Sequence, residues 1–451
     1  MKKKESILIV GGGITGLVSA YFAMKAGLKV TVLEAKNDFG GLLNTFDIRN
    51  SKLEHFYHHF FTHDKEIHWL IEELDLKNKL LYKSTSMGVY RGGKLYNFNG
   101  LFDLIKFKPV SLIGKIRFIL SSLYLGKFAN WQKRESISSL SWFYKNAGKS
   151  VTNALWKPLL DIKFGPFSKK IPLSWMIGRL RQRLNSRKNG DEKLGYIDGS
   201  LYVILEKLLL ELKNNGVDLI NNSPVDSILN TDSKITGVLV KNESYTADKI
   251  LFTIPSTYFN KLIKPINFNY YEKLNKIQYF GAVCVVIEMK KRMSNVYWMN
   301  VADDGFPFGG IIEHTNFISE KKYDDTHILY LSRYFSHEES IAKMTDDEIK
   351  NLMMPFLFKI YDDFNLDLVK KIHIFKTLTA APVCDLNFSK KVLNCKTPLK
   401  NIFMANMMHI YPDERSVNNS IRLAAESCRV MGIDTSFVPY GSSMSAKIGF
   451  N

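Results

Sequence analysis

The chain has 451 residues, 45% of them apolar and 24% charged, a globular composition long enough for two or three domains and unlike that of a disordered or fibrous protein. Lys plus Arg is 62 and Asp plus Glu is 44, a net charge of +18 that favours acidic partners such as nucleotide sugars, phospholipid headgroups or nucleic acid without choosing among them. Four cysteines, at 284, 384, 395 and 428, form no C-x-x-C pair, which argues against a disulfide scaffold and a thiolate zinc site and fits a reducing compartment.

The N-terminus opens Lys2, Lys3, Lys4, and no charge follows from Ser6 to Met24, which mimics a signal peptide or a membrane span. Gly11, Gly12, Gly13 and Gly16 interrupt that run after only Ile7–Val10, and no other window reaches the roughly 20 apolar residues of a spanning helix. A cytoplasmic protein, at most attached to a membrane surface, is expected. Residues 7–34 read instead as one unit: a short buried strand, the turn Gly11-x-Gly13-x-x-Gly16, a helix from Leu17 ended by Gly27, and a second strand closing on Glu34. Gly11 permits the tight turn, Gly13 lets a pyrophosphate approach the backbone, and Gly16 lets the helix pack on the strand. The helix N-terminus then offers unpaired N–H groups to phosphate, and Glu34 suits ribose hydroxyls while disfavouring a 2′-phosphate. A dinucleotide-binding segment is predicted.

The continuation "EAKNDFGGLLNTF" carries a second glycine pair, Gly40-Gly41. It resembles the FAD-binding amine oxidase, phytoene desaturase and protoporphyrinogen oxidase superfamily, in which such a pair lets the chain run past the cofactor. Leu42 stands where many members have Arg. The resemblance implies FAD as cofactor and an α/β chain: a Rossmann-type, two-dinucleotide-binding FAD domain with an inserted α+β substrate domain. The FAD domain is expected over 1–85, 190–258 and 395–435, the substrate domain over 86–189 and 259–394, and a loose tail over 436–451.

Half of the ten histidines fall at His55, His58, His59, His63 and His68. Their spacing lacks a neighbouring Cys and argues against a metal, and an aromatic-rich surface loop is the plain alternative. The stretch "FYHHFFTHD" also resembles the UDP-galactopyranose mutase segment G-x-H-x-F-H-T-x-D, with His58 in the place of the histidine beside the flavin, Phe61 in that of the second histidine, and Tyr57 replacing a small residue. "GGKLYNFN" (92–99) resembles the start of the same mutases' sugar domain. A neutral imidazole at the flavin tunes its reduction; His58 and His59 are the candidate catalytic histidines.

From 101 to 134 apolar residues recur at helical spacing (Leu112, Ile113, Ile116, Ile119, Leu120, Leu123) among seven cations and one acid, Asp103. The segment reads either as a helix packed internally or as one lying on an anionic membrane. Arg179, Arg181, Arg183 and Arg187 suit a diphosphate or carboxylate, or form a solvated basic face. No nucleic-acid module occurs, so nucleic acid is not an expected partner.

"LGYIDGSLYVILEKLLLELKNNGVDLINNSPVDSIL" (194–229) resembles the superfamily's central FAD segment, an amphipathic helix broken at Gly216 and followed by a strand leading to Val225, whose backbone is implied to meet the adenine. A hairpin follows over 235–255. "FGAVCVVIEMKK" and "HILYLSRYF" have strand composition, and Thr345 is a predicted N-cap. Residues 401–432 resemble the last strand, flavin loop and closing helix, with Asn406 and Asn418 at the loop and helix start and Ser416 where members often have Gly. The implied cofactor-binding set is Gly11, Gly13, Ile14, Thr15, Gly16, Glu34, Ala35, Gly40, Gly41, Leu42, Val225, Asn406 and Asn418. Arg333 and Arg415 are candidate diphosphate clamps.

The expected activity is an FAD-dependent oxidoreductase of this superfamily, acting in polysaccharide or glycolipid biosynthesis on a small-molecule or lipid-linked glycan substrate. Many amine oxidases carry a lysine in the strand resembling "GAVCVVIEM", where this chain has Cys284 and Val285, so desaturation or sugar chemistry is favoured over plain amine oxidation. The alternatives are a mutase-like flavoenzyme without net redox change and a non-enzymatic lipid-binding escort on the same fold.

Overall fold

Strand Ser6–Val10 is the centre of a five-stranded parallel sheet. Lys29–Leu33 and then Asp218–Ile220 lie on one side of it, and Lys249–Phe252 and then Ile402–Met404 on the other. The strand is apolar throughout because both faces are covered. Ile7 and Ile9 pack with helices Ile14–Lys25, Tyr202–Asn214 and Val417–Val430, while Leu8 and Val10 face a second cluster that includes Ile228, Ile235 and Val238 of an antiparallel meander. The fold is thus mixed α/β with a Rossmann-type sheet. The structure is a computed structural model and describes residues 4–188, 191–231, 234–441 and 448–450.

Chain segments outside that unit build a seven-stranded sheet in the order Val369–Pro382, Tyr279–Met289, His327–Phe335, Gly310–Glu313, Trp298–Val301, Met87–Arg91, Lys94–Asn97. Strand alternation sorts its side chains. Val283, Val285, Leu329 and Leu331 meet a helical layer that carries Ile349, Met353 and Leu357, and Cys284, Val286 and Tyr330 face the nucleotide-binding unit. The helix of that layer, Asp346–Met353, begins with the predicted Thr345 N-cap, part of a full capping box with Glu348. A helical lobe over 101–185 packs around Phe143 and Trp156, which stack at 4.5 Å. Strand Asp191–Ile197 pairs with Phe60–Phe61 and Leu80–Ser84, tying the histidine-rich segment to the nucleotide-binding unit.

The expected loose tail differs in its described parts. Phe437 packs 5.9 Å from both Phe22 and Trp69, and Gly449 accepts a hydrogen bond from the Cys395 N–H at 2.6 Å, because these residues close apolar surface the core leaves open. Residues 442–447 and 451 lie outside the described residues. Among the described residues no helix is long and apolar enough to cross a membrane.

Candidate active site

Each glycine of the first turn has a distinct task. Gly11 sits at φ 116° with its N–H on the Leu33 carbonyl (2.8 Å), and a Cβ there would lie 2.6 Å from Thr253 Oγ1. A Cβ on Gly16 would lie 2.0 Å from the Gly11 carbonyl oxygen, so only glycine lets the helix approach the turn so closely. Gly13 is different: a Cβ there would meet nothing within 4 Å, so the space before the helix is open. The helix it caps has no side-chain cap and no acid in its first turn, leaving the N–H groups around Ile14 and Thr15 free for an anion.

Glu34 accepts the Gly12 N–H at 2.7 Å and the Lys36 N–H at 2.9 Å, so its carboxylate holds the turn in shape, and its remaining lone pairs could accept from a ribose hydroxyl. Ala35 follows it, exposed. The Ser223 N–H donates to the Glu34 carbonyl (2.8 Å) and the Asn222 N–H to that of Lys36 (2.9 Å), which sets Val225 beside the same end. Gly40 and Gly41 both have positive φ, 125° and 61°, and the Gly40 N–H donates to the Gly12 carbonyl. A Cβ on Gly41 would lie 3.3 Å from Gly13 Cα, so the second glycine pair packs directly on the first, with half-buried Leu42 next in line. An open cradle walled by backbone N–H groups at one end and a ribose-accepting carboxylate at the other fits FAD.

Two asparagines of the implied set are used by the protein itself. Asn406 caps the turn Met407–Ile410 and donates to the Ile254 carbonyl at 3.1 Å, fixing the loop after the last strand. Asn418 stands in the first turn of Val417–Val430 with Ser416 as N-cap, but its side chain turns away, accepting from the Ile67 N–H (2.9 Å) and donating to Glu66 (2.9 Å). The Asn418 amide is thus committed within the protein, and the helix start has its backbone N–H groups and dipole to offer an anion.

The five histidines go to five different surroundings. His55 stacks on Phe375 at 4.0 Å, His63 on Phe61 at 5.5 Å, and His68 bonds the Asp64 carbonyl and the Tyr82 hydroxyl. Among the described residues no three potential ligands converge on a metal. His58 donates from Nδ1 to the Phe56 carbonyl, which leaves Nε2 as an acceptor, and burial pushes its pKa down to about 4. His59 turns to Tyr297 and Trp298, its Nδ1 3.3 Å from the Tyr297 hydroxyl; burial, reinforced by Arg183, pushes it down to about 3. Both rings are therefore neutral. Tyr57 fills the space under the sheet, edge-on to Trp298 at 4.8 Å and accepting from Ser332 Oγ at 3.3 Å. Asp64, the last matching residue of that segment, accepts from the Phe61 N–H at 2.8 Å and closes the turn.

Beyond the histidines lies a charged cleft. Glu414 Oε1 accepts from Lys163 Nζ at 2.7 Å and from Arg179 at 2.6 Å. Burial opposes the Glu414 charge, but Arg179 and Lys163 outweigh it and hold the carboxyl well below the usual range. Burial, together with Arg179, pulls Lys163 down to about 7 despite the carboxylate. A narrow pocket of about 20 Å³, room for little more than a water molecule, opens beside them, lined by Lys163, Trp175, Phe280, Tyr334, Tyr411 and Arg415 among others. Arg415 donates to the Ala380 carbonyl (3.0 Å) and lies over the Tyr334 ring at 5.2 Å.

Arg333 does not join this cleft, which corrects its reading as a clamp. It neighbours Ser332 and Tyr334 on one strand, so alternation sends it to the opposite face, where it pairs with Glu339 and donates to the Pro307 carbonyl. The arginine series is likewise distributed: Arg179 to Glu414, Arg183 to Glu192 at 2.8 Å, and Arg181 to the Ala129 carbonyl at 2.6 Å. The side chain of Arg187 lies outside the described residues. Lys163 and Glu414 carry no local motif in the sequence, where they stand 251 residues apart.

Comparison with known proteins identifies the family. Residues 14–374 match the family model for flavin containing amine oxidoreductase. The 15-cis-phytoene desaturase of Capsicum annuum is 25% identical over 409 residues, spanning 83% of this chain and 69% of the relative. Two solved structures share the fold at lower identity. Cyclohexylamine oxidase from Brevibacterium oxydans IH-35A is 13% identical with a TM-score of 0.74, covering 95% of this chain and 100% of its own. Reduced UDP-galactopyranose mutase is 16% identical with a TM-score of 0.73, covering 96% of each. The matched length exceeds half the chain, and the residues present fit the cofactor: the protein belongs to the flavin containing amine oxidoreductase family and is an FAD-dependent oxidoreductase.

Proposed function

We propose that this flavoenzyme oxidises an anionic substrate with an apolar or sugar portion, of the class of lipid-linked or nucleotide-activated glycans, in polysaccharide or glycolipid biosynthesis. The observation that carries the reading is the lining of that pocket, where the half-buried basic side chains Lys163 and Arg415 stand among the rings of Trp175, Phe280, Tyr334 and Tyr411. Arginine and lysine recognise phosphate or carboxylate, and flat aromatic walls suit sugar faces or isoprenoid chains. Bound FAD supplies a two-electron acceptor for hydride. The protein's part is to hold the anionic end on Arg415, exclude water with the aromatic walls, and take up the proton released by oxidation at Lys163 Nζ, whose pKa of about 7 suits that exchange. Cys284, buried and pushed up in pKa, occupies the strand where an amine oxidase lysine is expected, which supports a substrate other than a simple amine.

A second reading, a mutase acting on a nucleotide sugar without net redox change, is favoured by the neutral, acceptor-bearing His58 ring and by the fold shared with UDP-galactopyranose mutase. Anaerobic mixing of oxidised holoprotein with candidate polyprenyl-linked glycans and UDP-sugars separates the two. Bleaching of the flavin band by substrate supports oxidation. Sugar isomerisation that needs prior dithionite reduction supports the mutase reading and sinks the first.

A further inference from the structure

Helix Leu112–Leu123 has two apolar faces. At 100° per residue Gly114, Phe118 and Ser121 share one side, which lies against the body of the protein; Gly114 and Ser121 are buried and Phe118 stacks on Trp156 at 5.1 Å. Leu112, Ile113, Ile116, Leu120 and Leu123 share the opposite side and stand in solvent. The preceding short helix Leu101–Lys106 is anchored the same way. Leu104, Phe107 and Val110 are buried while Leu101, Phe102 and Ile105 point outward. Phe128, just past the longer helix, extends the patch. Phe102, Phe128 and Leu112 are 80%, 76% and 72% exposed, values far from those of a settled surface residue of their size. An apolar face of this extent marks an interaction site.

The charge around the face selects the partner. Lys106, Lys108, Lys127 and Lys133 are exposed at its margins, with Lys115 and Arg117 on the flanks of the helix. The one acid of the segment, Asp103, is occupied by the Asn99 N–H at 2.8 Å. A second copy docking through the same face would set this cationic rim against itself, since a two-fold contact is self-complementary. An anionic bilayer meets both features: headgroup phosphates take the rim and the acyl boundary takes the apolar stripe. The longer helix, of 12 residues, reaches only about 18 Å, so it lies in the interface plane.

We propose that the outward face of residues 101–128 is a docking surface for an anionic membrane, holding the enzyme as a peripheral protein. This assignment does not depend on which substrate fills the cleft. It is tested by co-sedimenting the full-length, FAD-loaded protein with vesicles of phosphatidylcholine alone and of phosphatidylcholine with phosphatidylglycerol, at low and high salt. The wild type is expected to bind the anionic vesicles at least about tenfold more tightly than the neutral ones, with salt removing only part of the binding. Replacing Phe102, Leu112 and Phe128 by serine is expected to abolish binding at both salt levels with FAD content unchanged. Lys106→Gln with Lys108→Gln and Lys127→Gln is expected to weaken binding at low salt by roughly fivefold per cation removed. Should the triple serine variant lose FAD, Phe102→Ser alone, at the most exposed position, is expected to weaken binding and carries the test. Negligible wild-type binding in all conditions, binding untouched by the serine changes, or a dimer that those changes dissolve would each overturn the proposal.

Discussion

Removing the Glu414 carboxylate tests whether the cleft cations are held by that single group. Its Oε1 serves Lys163 at 2.7 Å and Arg179 at 2.6 Å, and the Lys163, Glu414 and Arg179 side chains are 16%, 20% and 12% exposed. Breaking a buried pair by deleting one partner costs about 3–5 kcal/mol because the other charge is stranded. Two features of this site lower that figure. Lys163 already has its pKa near 7, and without the carboxylate it falls further, so at neutral pH the lysine sheds its proton at little cost. Water also reaches all three side chains. Arg179 cannot shed its charge and carries most of the penalty, which we place at about 2–3 kcal/mol. With an unfolding entropy of ~2.1 cal/mol/K per residue over 451 residues, Glu414→Gln lowers the melting midpoint by about 2–3 °C if the molecule unfolds as one unit. Scanning calorimetry of holoprotein reads this, with two double variants as controls. Adding Arg179→Met to Glu414→Gln restores most of the loss and adding Lys163→Met restores little. A midpoint unchanged in Glu414→Gln, or rescue by the lysine change instead of the arginine one, refutes the reasoning.

Gly13→Val leaves the apoprotein folded, with no more than about 1 kcal/mol lost at the helix N-cap because a Cβ there meets no protein atom, yet yields protein without FAD; stoichiometric FAD in the purified variant would contradict the cradle. Gly16→Ala drives a methyl into the Gly11 carbonyl and lowers stability and FAD content together, by about 2 kcal/mol or more, as measured by denaturant titration. His58→Ala shifts the flavin spectrum with FAD retained, whereas His63→Ala does not; because His58 titrates near pH 4, the wild-type spectrum shows no histidine-linked change above about pH 6. Lys163, at about 7 folded against 10.5 unfolded, leaves the unfolded chain holding the extra proton between those values, so stability rises with pH from about 7 to about 10.5. Lys163→Met removes that part of the slope in urea titrations across the window.

The start of the nucleotide-binding unit was legible because its motif is local. Gly11, Gly13, Gly16 and Glu34 sit within one strand-helix-strand stretch, whereas the distant Thr253 and Ser223 that brace it carry no such signal. The cleft was less so. Arg333 carries the right chemistry, but its face is set by strand register, and one residue along the strand reverses it. Glu414 and Lys163 acquire their meaning only from a contact across 251 residues. The helix at 112–123 shows a third kind of limit. Its apolar periodicity was plain, and an apolar stripe ordinarily turns inward. Here the small residues Gly114 and Ser121 make the inward contact and the larger stripe is left outside, a choice made by what the body of the protein offers as a seat.

The parallel sheet has a consequence for how the protein is made. Its strands come from opposite ends of the described chain: Ser6–Val10 pairs with Lys249–Phe252, which pairs in turn with Ile402–Met404. The turn that greets the pyrophosphate leans on Thr253, whose hydroxyl donates to the Gly11 carbonyl at 2.9 Å, and the helix beyond it packs on Val417–Val430. On the ribosome, roughly 150 residues must be added after Phe252 before the last strand can dock, about 10–30 s at usual synthesis rates. Through that interval Lys249–Phe252 remains an open edge able to pair with other chains. Until Ile402–Met404 docks, the sheet that carries the first turn is incomplete, and the cradle is finished only by the last part of the chain to be made.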